Sequence, residues 1–316
     1  MARFVVRRLL VMFALLIATT IVTFGLFTLI PSANPAVLIA GRLATPQEIE
    51  QINVEYGFNK PIYVQYVKTM KNILTGKAYS YQSGFNVDSE IKAGLPATLS
   101  LALGAGFIWL VSSIAVGTLA AVRAGRLTDR LLAVLALTGV SMPVFFLGAV
   151  LLYYLGYKLN WFPLGGYTKL TSNPLQWLKH LILPWFALSV LFIGFYSRVL
   201  RSSILDSVNE DYVRTAHAKG LSERQVLVRH ILRNSLIPII SLFGLDLAQV
   251  IGGGAIITES VFNLHGVGEL ARDSIQRLDI ITLMAIVMLT AAAVVILGAV
   301  VDVITAYLDP RIRLMT

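Results

Sequence analysis

Residues 9–30 read LLVMFALLIATTIVTFGLFTLI, an apolar run with no charged residue. As a helix rising about 1.5 Å per residue it reaches about 33 Å, enough to cross a hydrocarbon core of ~30 Å. Arg3, Arg7 and Arg8 precede it, as in a secretory leader. The apolar core of a leader spans only about 7–15 residues, and no A-x-A cleavage site appears before Pro31, so this run reads as a retained first membrane span.

Five further apolar runs follow, at Leu99–Val122, Leu131–Tyr154, Leu181–Phe195, Leu236–Ile257 and Ile280–Leu308. The fourth is short and carries Pro184, and Lys179 and Arg198 bracket it. The chain is 56% hydrophobic and 14% charged, against roughly 25% charged residues in soluble proteins. These features predict an all-α integral membrane protein with six transmembrane helices and a long external loop after the first. Residues 1–30 hold the N-terminus and first span, 31–94 the external loop and 95–308 a five-helix core. That core contains an internal loop at 198–238, and 309–316 form a tail.

With no cysteine and four scattered histidines, the chain offers no thiolate chemistry and no histidine-built metal site. Its net charge of +9 would suit nucleic acid, but the cations flank the apolar runs, where they set orientation and face acidic lipid headgroups. With the N-terminus inside, the internal side collects Arg3, Arg7, Arg8, Arg123, Arg126, Arg130, Arg198, Arg201, Arg214, Lys219, Arg224, Arg229, Arg233, Arg311 and Arg313. The short external loops hold only Lys158, Lys169, Lys179, Arg272 and Arg277. Both termini are therefore expected in the cytoplasm. The long external loop does not overturn this, because long loops cross largely regardless of charge.

Within that loop, Thr45-Pro-Gln-Glu48 has the form of a helix start, with Thr as N-cap, Pro at the first position and Glu at the third. Residues Ile62–Leu74 place Tyr63, Tyr66, Val67, Met70 and Leu74 near one helical face. A small folded cap and a solvated connector are both compatible with this pattern.

The internal loop is the most informative part of the chain. Asp206–Lys219 reads as a short helix with Val208, Tyr212 and Ala216 recurring on one side. Glu210 and Asp211 near its start and Lys219 at its end suit the helix dipole, and Gly220 supplies the left-handed stop. Ser222 and Gln225 form a capping box for a second helix that continues into the fifth span. A helix with a small exposed side (Thr215, Ala216, Ala218), tied to spans at both ends, can enter a partner's groove and tilt those spans when pulled.

The run Tyr212-Val-Arg-Thr-Ala-His-Ala-Lys-Gly220-Leu-Ser, followed by His230-Ile-Leu-Arg-Asn-Ser-Leu-Ile-Pro238, resembles the cytoplasmic-loop motif of binding-protein-dependent ABC importer permeases. It is most similar to the B-type permeases of oligopeptide and dipeptide systems. Asn59-Lys-Pro-Ile-Tyr-Val-Gln-Tyr66, Leu95-Pro-Ala-Thr-Leu99, Pro143-Val-Phe-Phe-Leu-Gly148, Trp161-Phe-Pro-Leu-Gly-Gly166 and Ala306-Tyr-Leu-Asp-Pro-Arg-Ile-Arg313 extend the resemblance over nearly the whole chain. It implies the type I ABC importer permease fold in a prokaryotic inner membrane. It also implies a second homologous permease, two ATP-binding subunits carrying ATP and Mg, and an external substrate-binding protein. By position, Tyr212, Arg214, Thr215, Ala216, Lys219, Gly220, Leu221 and Ser222 would form the ATPase-coupling element.

Three departures from the family pattern stand out. Related sugar permeases have Glu in place of Arg214. The run Gly76-Lys-Ala-Tyr-Ser80 replaces a Gly-Asp-Leu-Gly run, and His265-Gly-Val-Gly268 replaces Pro-Gly-Leu-Gly. The last two lie outside, where they bear on docking and substrate rather than on energy coupling.

No G-x-x-x-x-G-K-[ST] phosphate loop occurs, so the chain is expected to bind no cofactor and to leave ATP hydrolysis to other polypeptides. Asp246 sits inside the fifth span, either lining a translocation path or clamping two helices. Gly252-Gly253-Gly254 reads as a hinge, a thin spot in the path or close helix packing. Asp302 reads as an ion-pair or capping residue. Glu259-Ser-Val-Phe262 and the Gly266/Gly268 loop are either a docking surface or an ordinary turn. The helix–Gly–helix unit lies between two spans, which argues against DNA binding. An ion-coupled secondary transporter would need more buried carboxylates than Asp246. Short peptides lead as cargo, with nickel chelates, glutathione and other small solutes as alternatives.

Overall fold

A computed structural model describes the backbone of residues 2–29, 35–41 and 44–308, and the side chains of residues 10–28, 36–37, 39–41 and 44–301. The tail at 309–316 and the side chain of Asp302 fall outside these described residues.

The helices are α1 (Ala2–Leu29), α2 (Pro35–Ala40), α3 (Pro46–Tyr56), α4 (Ile62–Leu74), α5 (Val87–Val122), α6 (Leu127–Ser141) and α7 (Val144–Leu151). Then come α8 (Pro174–Val208), α9 (Asp211–Ala218), α10 (Glu223–Val226), α11 (Leu232–Gln249), α12 (Ile256–Phe262), α13 (Val267–Arg277) and α14 (Ile280–Leu308). Wider π-helical turns extend α7 over Leu152–Lys158, join α10 to α11 over Leu227–Ile231 and close α11 over Val250–Gly254.

Among the described residues, five helices are long and apolar enough to cross a membrane. A sixth candidate span is the pair Leu127–Ser141 and Val144–Lys158, bent by 96° at its break. The continuous third span expected from hydropathy is therefore broken, and the cause is local. Pro143 disfavours helical backbone at Met142, which is extended at φ −86°, ψ 120°. The fourth span is longer than its apolar run suggested. α8 continues through Pro184 and past Arg198 to Val208, as one rod of 35 residues.

α5 and α8 form the central pair. Gly104 lies against the indole of Trp185, Gly117 against the backbone of Ser197, and Gly194 against the carbonyl of Ala136 on α6. A side chain at any of these glycines would collide with its neighbour, so Gly117 and Gly194 let helices touch through their backbones and Gly104 makes room for the indole. Leu101, Ala105, Trp109, Leu181 and Leu188 fill the seam.

The region after α1 folds as a cap. The Thr45 capping box forms as read: the Thr45 N–H donates to Glu48 Oε2 at 2.7 Å, and the Glu48 N–H to Thr45 Oγ1 at 3.3 Å. Met70 of α4 is buried with Phe24 of α1, Val87 of α5 and Met284 of α14, and Tyr66 and Ile73 pack beside it. The stripe expected on α4 is thus split. Met70 points inward, whereas Tyr63, Val67 and Leu74 are 71%, 60% and 76% exposed.

Candidate functional site

The 198–238 loop is built on the far ends of α8 and α11. α8 stops at Val208, Asn209 and Glu210 turn the chain, and α9 begins at Asp211. The single helix read from Asp206 is therefore two helices, and Val208 belongs to the first. Val213 and Ala216, three residues apart on α9, are buried with Tyr196, Leu200 and Ile204 of α8 and with Val226, Ile231 and Ile239.

This corrects the expected helix face. Ala216 faces the protein rather than a partner, because residues 213 and 216 share the side of α9 that packs on the helix ends. Tyr212, Arg214, Thr215, His217, Ala218 and Lys219 remain on the outer side. Arg214 reaches Asp211 at 3.3 Å with both side chains largely in solvent, and the Thr215 hydroxyl donates back to the Asp211 carbonyl at 2.9 Å.

Gly220 ends α9 at φ +76° with open space around it. Leu221 is half-buried beneath α9. The Ser222 N–H then donates to Gln225 Oε1 at 3.2 Å, completing the capping box read from sequence. At the root of the loop the Ser235 hydroxyl donates to the Ser203 carbonyl at 3.1 Å and lies 3.1 Å from the Ser207 hydroxyl, which ties α11 to α8. α9 is thereby fixed to two membrane helices by packing, and its outer side is free for contact.

A pair that the sequence did not mark lies at the same end. Arg201 Nε and Nη2 each donate to Asp129 at 2.7 Å, and the Gly125 N–H donates to the same carboxylate at 2.9 Å. In sequence Asp129 sits among Arg123, Arg126 and Arg130, which obscures its partner on α8.

Farther along α11, Tyr196 donates to Asp246 Oδ2 at 2.6 Å, joining α8 to α11. Beside it the Trp109 ring stacks on Phe192 with centroids 4.2 Å apart. Asp246 is half-buried, so it makes this inter-helix bond while keeping one open side. The glycine run divides its roles. Gly252 packs against Thr290, whose hydroxyl donates to the Gly252 carbonyl, and Gly253 at φ +116° interrupts the helix.

Glu259 is fully buried, which removes it from any surface contact with a docking protein. The Thr98 hydroxyl donates to its Oε1 at 2.6 Å, and the Glu269 N–H donates to its Oε2 at 3.0 Å. The Val267 N–H donates in turn to Thr98 Oγ1 at 2.9 Å. Burial pushes the Glu259 carboxyl upward, while these donors and the Gly268 N–H oppose the shift. Gly266 and Gly268 press on this carboxylate, so the loop is pinned from beneath, with His265 exposed at its tip.

Residues 113–314 match the family described as binding-protein-dependent transport system inner membrane component, and residues 1–102 match the N-terminal region of such membrane components. A probable peptide ABC transporter permease of Sinorhizobium fredii is 36% identical, covering 99% of this chain and 100% of its own. The oligopeptide transport system permease protein of Bacillus subtilis is also 36% identical, with the same coverage. A di/tripeptide transport system permease of Pseudomonas aeruginosa is 32% identical over 99% of both chains. A solved chain of the MetNI methionine ABC transporter, in an inward-facing conformation, matches with a TM-score of 0.55 at 17% identity. The match covers 70% of this chain and 96% of that one, and it shows a shared fold. With two family matches that together span nearly its whole length, this chain belongs to the binding-protein-dependent transport system inner membrane components, the permease subunits of ABC importers.

Proposed function

We propose that this chain is the B-type permease of a peptide importer, forming the translocation pathway together with a second, homologous permease. Two ATP-binding subunits, which carry ATP and Mg, act from the cytoplasmic side, and an external binding protein delivers the cargo. Both termini lie in the cytoplasm, and the cap faces outward. The names of the relatives favour short peptides over nickel chelates or glutathione.

The observation that carries this reading is α9. Its inner face is locked to α8 and α11 through Val213 and Ala216, and its outer face is free. A subunit gripping Tyr212, Arg214, Thr215 and Lys219 would move both membrane helices together. Gly220, Leu221 and Ser222 hold α9 at its angle rather than touching the partner. Asp246, Gly252 and Gly253 contribute to the pathway, where Asp246 offers its open side and the break at Gly253 lets α11 bend.

Cysteines placed at Thr215 and Ala218 test the reading in the assembled transporter. They should crosslink to an ATP-binding subunit, while Thr215→Trp stops peptide uptake without removing the chain from the membrane. Crosslinks only to lipid, or uptake unchanged by Thr215→Trp, would refute the coupling role.

A further inference from the structure

We propose that α4 lies in the bilayer surface as an interfacial helix, with Tyr63, Val67 and Leu74 among acyl chains and Lys68 and Asn72 in water. The observation that carries it is depth. Met70 of α4 is clustered with Phe24 of α1 and Met284 of α14, and the Tyr66 ring meets Phe24 edge-on at 5.4 Å. Phe24 stands four residues inside the span Leu10–Thr28, and Met284 four residues inside Ile280–Val301. Both spans therefore put this contact about 6 Å below their ends. Tyr66 reaches deeper, sharing a hydroxyl–hydroxyl bond of 2.7 Å with Thr20. An interfacial helix buries its apolar side to about 5–10 Å, which is the depth these contacts give.

The two flanks of α4 differ as such a helix requires. Tyr63, Val67, Met70 and Leu74 recur at spacings of four, three and four, which places them on one flank. On that side opens a cavity of about 550 Å³, shared by Met70 and Leu74 with Phe13 and Ile17 of α1 and Ala292 of α14. Phe13 and Ile17 lie farther along the span than Phe24, so this flank looks toward the middle of the bilayer. Gln65, Lys68, Thr69 and Asn72 border a smaller hollow of about 170 Å³ on the other flank. There Gln65 donates to the Phe58 carbonyl at 2.8 Å, and Lys68 to the Tyr56 carbonyl at 2.9 Å.

Hydrocarbon is the occupant because the exposed flank continues an exposed apolar face of α1, where Phe13, Ile17 and Ile21 stand 65%, 42% and 54% open. The chain is an inner membrane component, so that face belongs to a membrane span. Lys71 sits between the two flanks, where its carbon stem follows the apolar side and its ammonium reaches water. The carboxylate on the cavity walls, Asp88, lies against Gly76, past the end of α4, and is paired with Lys92 at 2.7 Å. Which leaflet α4 enters follows from the orientation proposed above, but its immersion does not.

Spin labels on single cysteines test this in the intact transporter, reconstituted in vesicles of phosphatidylethanolamine and phosphatidylglycerol. Dissolved oxygen concentrates in hydrocarbon and a charged nickel chelate stays in water. The ratio of oxygen to nickel collisions at Tyr63→Cys, Val67→Cys and Leu74→Cys should exceed that at Lys68→Cys and Asn72→Cys several-fold. Equal ratios on the two flanks would overturn the proposal. So would labels at 63, 67 and 74 shielded from both reagents, since a protein such as the second permease would then cover the flank. A lipid with a photoreactive acyl chain, applied to the wild-type protein, covers variants that misfold. It should label the peptide holding Tyr63–Leu74 as well as α1, and labelling of α1 without α4 would overturn the proposal. Peptide uptake is measured separately, so failure here leaves the transport reading standing.

Discussion

Arg201 grips Asp129 with two parallel hydrogen bonds of 2.7 Å, joining the start of α6 to α8 one turn before Ile204, which packs under α9. Bidentate guanidinium–carboxylate pairs hold orientation as well as distance. Any tilt imposed on α8 through α9 therefore carries α6 with it, and α6 leads directly to the 96° bend at Pro143.

Breaking that pair should uncouple the helices before it unfolds them. Asp129→Ala and Arg201→Ala are each expected to lower peptide uptake several-fold while the ATP-binding subunits stay attached. Arg201→Lys should recover only part of the loss, because an ammonium cannot reproduce the fork. Uptake and co-purification measured on the same preparations check this, and full uptake by Asp129→Ala would remove the pair from the coupling route.

Gly220 makes a conformational prediction free of packing effects. Nothing lies within 4 Å of where its side chain would be, so a substitution is penalised only by φ +76°. Gly220→Ala should cost about 1 kcal/mol and Gly220→Asn less, whereas Gly220→Pro, with φ locked near −65°, should dislodge α9 altogether. Binding of the ATP-binding subunits should follow that order from wild type through Asn and Ala to Pro.

Glu259 should behave as an acceptor, not as a docking charge. Glu259→Ala strands the Thr98 hydroxyl and two backbone N–H groups, and is expected to cost about 3 kcal/mol of stability. Glu259→Gln keeps one acceptor oxygen and should cost roughly half as much. Thermal unfolding in detergent, followed by intrinsic fluorescence, gives the comparison. Equal melting temperatures for wild type and Glu259→Ala would contradict the buried network.

Tyr81 supplies a titration. Its ring meets Tyr56 at 4.9 Å and Phe58 at 5.8 Å, and burial, aided by Tyr56 and Asp279, pushes its phenol up to about 12. An unfolded tyrosine ionises near pH 10, so the folded cap holds its proton longer than the unfolded chain does. Stability from this group is complete below about pH 10 and falls as pH rises toward 12. Phenolate absorbance should show a tyrosine of the cap ionising late, and Tyr81→Phe should lower the late absorbance by one tyrosine.

Much of the architecture was legible because membrane spans are written in runs. The sixth run and the last helix share the bounds Ile280–Leu308, and the Thr45 and Ser222 capping boxes form as their spacing demands. The reading slipped where hydropathy and backbone chemistry disagree. Residues 131–154 carry no charge and are mostly apolar, yet Pro143 breaks them. Residues 196–208 are polar in part, yet α8 runs on because its inner side packs on α9 and α11. On α9, a period of four through Tyr212 and Ala216 competed with a period of three through Val213 and Ala216, and only the second is buried.

The sequence alone determined which segments are apolar and long enough to be candidate spans, where the 198–238 loop lies between two of them, and that its two short helices meet at a glycine. Those are local properties: apolar length, caps and a residue free to take positive φ. Tertiary structure decided that Asp129 belongs to Arg201, that Asp246 receives Tyr196, that Glu259 is buried and that Ala216 faces inward. These partners stand between 10 and 169 residues apart in chains of contact such as Thr98 to Val267, and no period of three or four reaches that far. Such pairings are chosen by which helices pack, and that choice rests on glycines placed where two backbones must touch.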